Sequence, residues 1–388
     1  MTQTQYIATA QGLAQSLPRW RQAAPLAVDT EFIRTDTFFP KLGLVQLGDG
    51  QGEALIDPVA IGDLSALGPV LSRGGPLKIL HACSEDLEVL SALAPDGVGE
   101  VHDTQIALAL LGEGLQVGYQ KALQLVLDID IPKDASRSDW LARPLSQQQR
   151  DYAALDVRHL PALYAELKAR LAARGLWDIY VAECDESCRL PSPVDPDTAW
   201  MDHANAWRLR RGELAVLKAL MAWREREAVA RDVPRGHLLK PLSAFELARQ
   251  QPKNVFGLGE IPELSPRVAR RDGEQLLALI ADARALPADE QPRCLPPPLP
   301  REAASVYDAL KLALQPVVAA TGVPLEVLWR KRLADRLVLA AVDHGLAAAG
   351  AVLTGWRAAR LREPVLDVLR GHEDSLRAWG DQRRRATL

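Results

Sequence analysis

Residues 26–58 carry three short apolar runs, LAVDTEF, LGLVQLGD and EALIDP, each bounded by Gly, Pro or Asp. Their length and hairpin-like spacing predict strands joined as an antiparallel opening. After a helical segment around 61–72, LKILHAC at 77–83 predicts another buried strand, which leads into the helix-like SEDLEVLSAL starting at Ser84 or Glu85. VHDT at 101–104 predicts a last short strand. Helical periodicity then runs through IALALL, GYQKALQLVL and the long SQQQRDYAALDVRHLPALYAELKARLAARG. Residues 1–190 are therefore expected to be α/β with a mixed sheet.

Two turn-rich stretches, RLPSPVDPDT at 189–198 and ADEQPRCLPPPLP at 288–300, read as linkers. Between and beyond them the pattern is amphipathic helix with almost no strand signal. Two all-helical modules are expected, at 200–286 and 297–375, with a basic, frayed tail at 376–388. The most lipid-like run, 337–356, carries Asp343 and His344 near its middle, so it reads as buried soluble helix rather than a span. The N-terminus shows no basic segment followed by an apolar one, so a cytoplasmic location is expected.

Hydrophobic content of 48% and charged content of 25% are ordinary for soluble protein, but charge is unevenly distributed. Residues 200–388 hold 30 Lys and Arg against 23 Asp and Glu, or +7, leaving 16 against 27, or −11, for residues 1–199. A basic half beside an acidic one fits a nucleic-acid grip joined to a cation-using site, although scattered solvated charge gives the same totals. Cys83, Cys184, Cys188 and Cys294 are too few and scattered for a disulfide framework or a paired C-x-x-C zinc site. Reduced thiols are expected, with the C-x-x-x-C at 184–188 on a helix end and binding nothing.

The acids sharpen the picture. Asp29 and Glu31 stand at i and i+2 of a strand, hence on one face, where mutual repulsion and burial raise their pKa unless a cation compensates. Asp86 falls in the first turn of the helix after strand 77–83, where an acid also complements the helix N-terminus. Tyr152 and Asp156 are four apart on a helix and share a face. Each feature alone is commonplace. Together, four carboxylates from three elements suit two divalent ions set for attack of water on a phosphodiester, with Tyr152 orienting the water.

These residues lie in VDTEFIRTDTFFPKLGLVQL, ALIDP, LHACSEDLEVL, HDTQIA and SRSDWLARPLSQQQRDYAALDV, which resemble the bacterial ribonuclease D family. That family belongs to the tyrosine subgroup of the DEDD superfamily of 3′-to-5′ exonucleases. The resemblance implies a ribonuclease H-like (DnaQ-like) α/β exonuclease domain with a mixed sheet, followed by two all-α helicase-and-RNase-D C-terminal (HRDC) domains. It implies Asp29, Glu31, Asp86 and Asp156 as ligands of two Mg²⁺ or Mn²⁺ ions and Tyr152 as the catalytic tyrosine, with Asp86 rather than Glu85 as the ligand of that pair. Asp103 in HDTQ is expected to cap the next helix. RLRRGELAVLKALMAWREREAVARDVPRGHLLKPLSAFELARQQP resembles the first HRDC domain; RKRLADRL and GWRAARLREPVLDVL resemble the second, more divergent copy. Phosphate contacts should dominate binding by such modules.

A single strand entering the site would stack bases on exposed rings and bring phosphates to basic groups. Phe32, His81, Trp140 and Arg143, in or beside the motifs, are the candidate substrate-binding residues; core packing, a strand-end hydrogen bond and an ion pair are their structural alternatives. The function implied is a 3′-to-5′ exoribonuclease that releases nucleoside 5′-monophosphates and trims structured RNA such as transfer RNA precursors. A DNA exonuclease of the same superfamily and a catalytically inactive RNA-binding protein are the alternatives; the presence of all four acids and the tyrosine opposes the last.

Overall fold

The structure is a computed structural model that describes residues 4–132, 138–190 and 192–387. Ser136 and Arg137, which open the SRSDW stretch, lie outside the described residues. The chain begins with β1 (Gln5–Ile7), α1 (Ala10–Arg21), β2 (Leu26–Ile33), β3 (Lys41–Gly48) and β4 (Glu53–Ile56). The helix expected at 61–72 is instead two single turns, α2 (Pro58–Ile61) and α3 (Gly68–Leu71). Asp57 caps α2, and Gly62, at φ +81°, ends it in a conformation that favours glycine. Next come β5 (Lys78–Leu80), α4 (Ser84–Leu93), β6 (Val101–Asp103), α5 (Thr104–Leu111) and α6 (Tyr119–Leu127).

The long helical run after residue 146 is also broken, into α7 (Gln147–Arg158) and α8 (Leu160–Ala173), followed by α9 (Trp177–Ser187). Pro161 sits in the first turn of α8 and has no N–H to give the Val157 carbonyl. That end of α7 is pressed onto the sheet: a Cβ on Gly48 would lie 2.9 Å from the Val157 carbonyl oxygen. The break lets α7 cover β2, β3 and β4 while α8 turns away to pack on α5 and β5.

Six strands form one mixed sheet in the order β1-β4-β3-β2-β5-β6. The central β4-β3-β2 pairs are antiparallel and the flanking pairs parallel. β1 is too short to show a period in the sequence. One face of the sheet packs Val28, Val45, Leu47 and Leu80 against Leu13, Trp20, Leu87 and Leu90 of α1 and α4. The other is covered by the layer that contains α7, α8 and α9.

Residues 211–285 build five helices, α10 (Arg211–Ala230), α11 (Arg235–Leu238), α12 (Pro241–Gln250), α13 (Val255–Gly259) and α14 (Pro266–Ala285). They close on their own core, around Leu217, Leu220, Leu247 and Leu276. The last seven are α15 (Ala304–Ala313), α16 (Gln315–Thr321), α17 (Leu325–Leu328), α18 (Lys331–His344), α19 (Leu346–Val352), α20 (Gly355–Gly371) and α21 (Glu373–Arg385). Their core, including Val306, Leu337 and Leu361, runs without interruption into that of α5, α8 and α9. At the seam the wholly buried Glu183 of α9 pairs with Arg357 at 2.7 Å and accepts a bond from Trp356 Nε1.

The frayed tail is corrected by α21. Gly380 lets this helix meet the Val342 carbonyl of α18, and Arg383, only 7% exposed, donates to Asp343 at 2.8 and 3.0 Å. That pair also explains how Asp343 is tolerated in the apolar 337–356 run, which forms α18 and α19. Among the described residues no helix is long and apolar enough to cross a membrane. Arg383→Ala leaves a charge-assisted bond unmade, so urea unfolding should show a loss of about 2 kcal/mol, against almost none for the exposed Arg385→Ala. Equal effects of the two substitutions would contradict the ion pair's role.

Candidate active site

Alternation along β2 sends Leu26 and Val28 into the α1/α4 core and Ala27, Asp29 and Glu31 toward α7. Asp29 pairs in register with Gln46 and Glu31 with Leu44, and a bulge follows at once between Glu31 and Phe32. Bulges bend a strand and interrupt its pairing, and this one follows directly on Glu31 before pairing resumes at Phe32. From above, α7 buries the small Ala153 and Ala154, which brings its backbone close enough for Asp156 to reach the same point. Carboxylate oxygens of Asp29, Glu31 and Asp156 all lie within 4.8 Å of one another.

Asp86 arrives around the end of the short β5. Asp103 accepts from the backbone N–H groups of Ala82 and Cys83, both at 3.0 Å, and from Gln105 at 2.7 Å. One carboxylate thus caps α5, as expected, and pins the turn from which α4 starts. Within that first turn Glu85 is exposed and Asp86 buried, which supports Asp86 as the functional member of the pair. Thr30, between the two acids of β2 but on the opposite face, donates to Asp86 Oδ1 at 2.6 Å. The threonine of D-T-E therefore fixes the third acid, a role that strand alternation could have indicated.

Electrostatics follow from this crowding. Burial, then the neighbouring charges of Asp156, Asp86 and Glu31, hold the Asp29 carboxyl well above its usual range. Glu31 is pushed up to about 9 by burial and then by Asp156 and Asp86. Burial also raises Asp156 to about 7, against a hydrogen bond from Tyr152 that favours its charged form. Asp86 rises to about 6, through burial, against the Thr30 bond. The raised pKa expected for the metal-free pair Asp29 and Glu31 is what this geometry produces. Burial, then the charge of Asp156, pushes the Tyr152 hydroxyl up as well, so it stays protonated and able to donate.

The four candidate substrate residues differ in what they expose. Phe32 stands half-buried at the bulge, beside the acids. His81 is engaged at both nitrogens, with Thr104 Oγ1 at 2.9 Å and the Val117 carbonyl at 2.8 Å, and burial lowers its pKa. Trp140 and Arg143 depart from the expectation of free contact. Trp140 is 1% exposed and its ring lies 6.2 Å from that of Tyr152. Arg143 spends its guanidinium on Asp57, at 2.7 Å twice, and on the carbonyls of Gly43 and Trp140. A Cβ at Gly43 would lie 2.6 Å from the Trp140 carbonyl oxygen, so glycine is needed for this loop to sit on β3. Trp140 thus backs the Tyr152 ring, and Arg143 ties the Trp140 carbonyl to Asp57 and β3.

Two further contacts had no signal in the sequence. Tyr119 donates to the Leu155 carbonyl at 3.3 Å, just before Asp156, and packs on His81 with ring centroids 5.5 Å apart. Asp232 of the first helical module accepts from the backbone N–H groups of Phe38 and Phe39, at 3.0 and 2.9 Å, while Arg235 stacks over Phe38. That module thereby grips the loop that follows β2.

Because these carboxyls titrate higher when folded, the metal-free folded chain holds protons that the unfolded chain has lost. The resulting stabilisation is complete at acid pH and disappears as pH rises, for Glu31 between its usual 4.5 and about 9 and for Asp156 between 3.8 and about 7. The unfolding midpoint of the metal-free protein should therefore decline from about pH 5 to pH 9, and decline less in an Asp29→Asn/Glu31→Gln double variant. A parent and a variant with the same slope would refute the crowding.

A family model described as 3′-5′ exonuclease matches residues 4–172, and the HRDC domain model matches residues 213–280. Ribonuclease D of Pseudomonas paraeruginosa is 41% identical over 94% of this chain and 97% of its own length. Ribonuclease D of Escherichia coli is 38% identical over 74% of this chain and 77% of its own. The crystal structure of E. coli RNase D, described as an exoribonuclease involved in structured RNA processing, superimposes with a TM-score of 0.87, covering 96% of this chain and all of that one at 32% identity. With the acids and tyrosine gathered at one strand end, the chain belongs to the ribonuclease D family of 3′–5′ exoribonucleases.

Proposed function

We propose that the chain removes nucleotides from the 3′ end of RNA as nucleoside 5′-monophosphates, with Asp29, Glu31, Asp86 and Asp156 holding two Mg²⁺ or Mn²⁺ ions. The observation that carries this reading is the approach of the Asp29, Glu31 and Asp156 oxygens to within 4.8 Å, with Asp86 electrostatically joined to them. The donor set fits: hard carboxylate oxygens suit Mg²⁺ and Mn²⁺, and their raised pKa values mark charge that a cation would relieve. When bound, such ions lower the pKa of water and offset charge on the leaving 3′ oxygen.

The protein's own groups set the orientation. Tyr152 keeps its proton, and its hydroxyl, held by Asp156, is suited to direct the lone pair of the attacking water toward phosphorus. Phe32, at the bulge beside Glu31, offers a ring for the terminal base, while His81 braces Tyr119 and the helix that bears Asp156. Trp140 acts through Tyr152, and Arg143 holds the Trp140 loop in place. The two helical modules, the second read as a divergent HRDC copy, supply the +7 half of the chain for phosphates of the RNA body. Structured RNAs with a single-stranded 3′ end, such as transfer RNA precursors in the cytoplasm, are the substrates that this division of labour favours.

With 3′-labelled RNA the first product should be a labelled mononucleotide, whereas 5′-labelled RNA should shorten stepwise, only with Mg²⁺ or Mn²⁺ present. Asp29→Asn should lower kcat at least about a hundredfold, on the scale of one lost transition-state electrostatic contact. Tyr152→Phe should lower kcat by a similar factor and leave KM almost unchanged. Activity that survives chelation, or DNA hydrolysed faster than RNA of the same sequence, would overturn the reading.

A further inference from the structure

Away from the acids, the fold brings three cysteines together. Cys83, at the start of α4, and Cys188, just beyond α9, are 105 residues apart in sequence, yet their sulfurs lie 3.5 Å apart. Cys184, one turn earlier on α9, accepts from the Asp103 N–H at 3.5 Å and also contacts the Cys188 sulfur. All three are free thiols, Cys188 the more accessible and Cys83 buried. A cavity lined by Cys83, Ser84, Asp103, Cys188 and Arg330 opens onto the pair, and a second, lined by Cys184, Cys188 and Arg189, reaches Cys188 from another side.

We propose that Cys83 and Cys188 are a site of reversible oxidation, closing to a disulfide that ties the end of the nuclease domain to the turn launching α4. A soft-metal site is the competing use of such a cluster. The Asp103 carboxylate lies within 4.8 Å of both sulfurs, but it already accepts three backbone N–H groups, which leaves it poorly placed to serve as a ligand. Cys184 falls outside that close group. The close group thus offers two sulfurs and one carboxylate already committed, short of the four ligands of tetrahedral zinc, whereas the 3.5 Å Cys83–Cys188 contact is what two-electron oxidation requires. Cys184 in α9 and Cys188, its C-cap, lie one turn apart along the same helix end, a poor geometry for a disulfide between them.

The oxidant is a low-molecular-weight disulfide. The Cys188 thiolate attacks one of its sulfurs, forms a mixed disulfide and releases one thiolate; Cys83 then attacks the Cys188 sulfur and releases the second. The protein loses two protons and two electrons, and the reagent is reduced to two thiols. Asp86 lies three residues beyond Cys83, so the bond anchors the helix that carries this acid.

The test treats the full-length protein with oxidised glutathione in excess, because sulfur neighbours and burial push the Cys188 thiol up and slow the exchange. Remaining thiols are then alkylated in denaturant and peptides mapped by mass spectrometry. The parent should lose two hydrogen masses, keep two alkylatable thiols of its four and yield a peptide joined through Cys83 and Cys188. Dithiothreitol should reverse the change, and the unfolding midpoint of the oxidised form should be higher. Cys184→Ser should behave as the parent, while Cys83→Ser and Cys188→Ser should form no internal bond. Four alkylatable thiols after oxidation, a bond joining Cys184 to Cys188, or a Cd²⁺–thiolate absorption band of unit stoichiometry with no disulfide formed would each overturn the proposal.

Discussion

Four carboxylates crowded at the end of one buried strand are the constraint to which the nuclease layers answer. Side by side and half out of water, such groups resist ionisation, and among the described residues no basic group is one of the principal influences on Asp29, Glu31, Asp86 or Asp156. The fold supplies rigidity instead. Asp103 pins the turn before Asp86, Thr30 holds its carboxylate, and alanines on α7 let Asp156 descend to the sheet. The charge is left for divalent cations, which a family of this kind uses. A site relieved by its own arginines would be more stable and could not hold metal.

The helical half is joined to this centre at two places of different character. The first module has its own core and touches the nuclease domain where Asp232 accepts from Phe38 and Phe39, a polar contact on the loop that follows the acid-bearing strand. The last seven helices share a core with α8 and α9, and the Glu183–Arg357 pair is buried at the seam. The first module is therefore coupled to the nuclease domain through that loop, whereas the C-terminal module is continuous with its scaffold.

Much of this was legible in the sequence because it obeys local rules. The opening hairpins, the i, i+2 acids of β2 and the i, i+4 pair of α7 follow from strand and helix periods, and Asp103 from capping preference. The break between α7 and α8 was also written there, in Pro161, but the strength of the surrounding helical pattern masked it. Other features depend on contacts between distant segments. Trp140 and Arg143 lie in the right motif, yet the seat at Gly43 and the partner at Asp57 decide that they face inward. Arg383 reads as tail until α21 packs against Asp343, and Cys83 reads as solitary until α9 returns across the sheet. Pairings of this separation leave no period to detect.

The claim on which everything else rests is that Asp29, Glu31, Asp86 and Asp156 form one cation site. Anomalous diffraction from crystals soaked in Mn²⁺ tests it without turnover or substrate. The account predicts manganese peaks bounded by these four side chains, with Asp29 ligating, and their loss in Asp29→Asn crystals. Manganese bound elsewhere with this cluster left unligated, or peaks unchanged by that substitution, would contradict it.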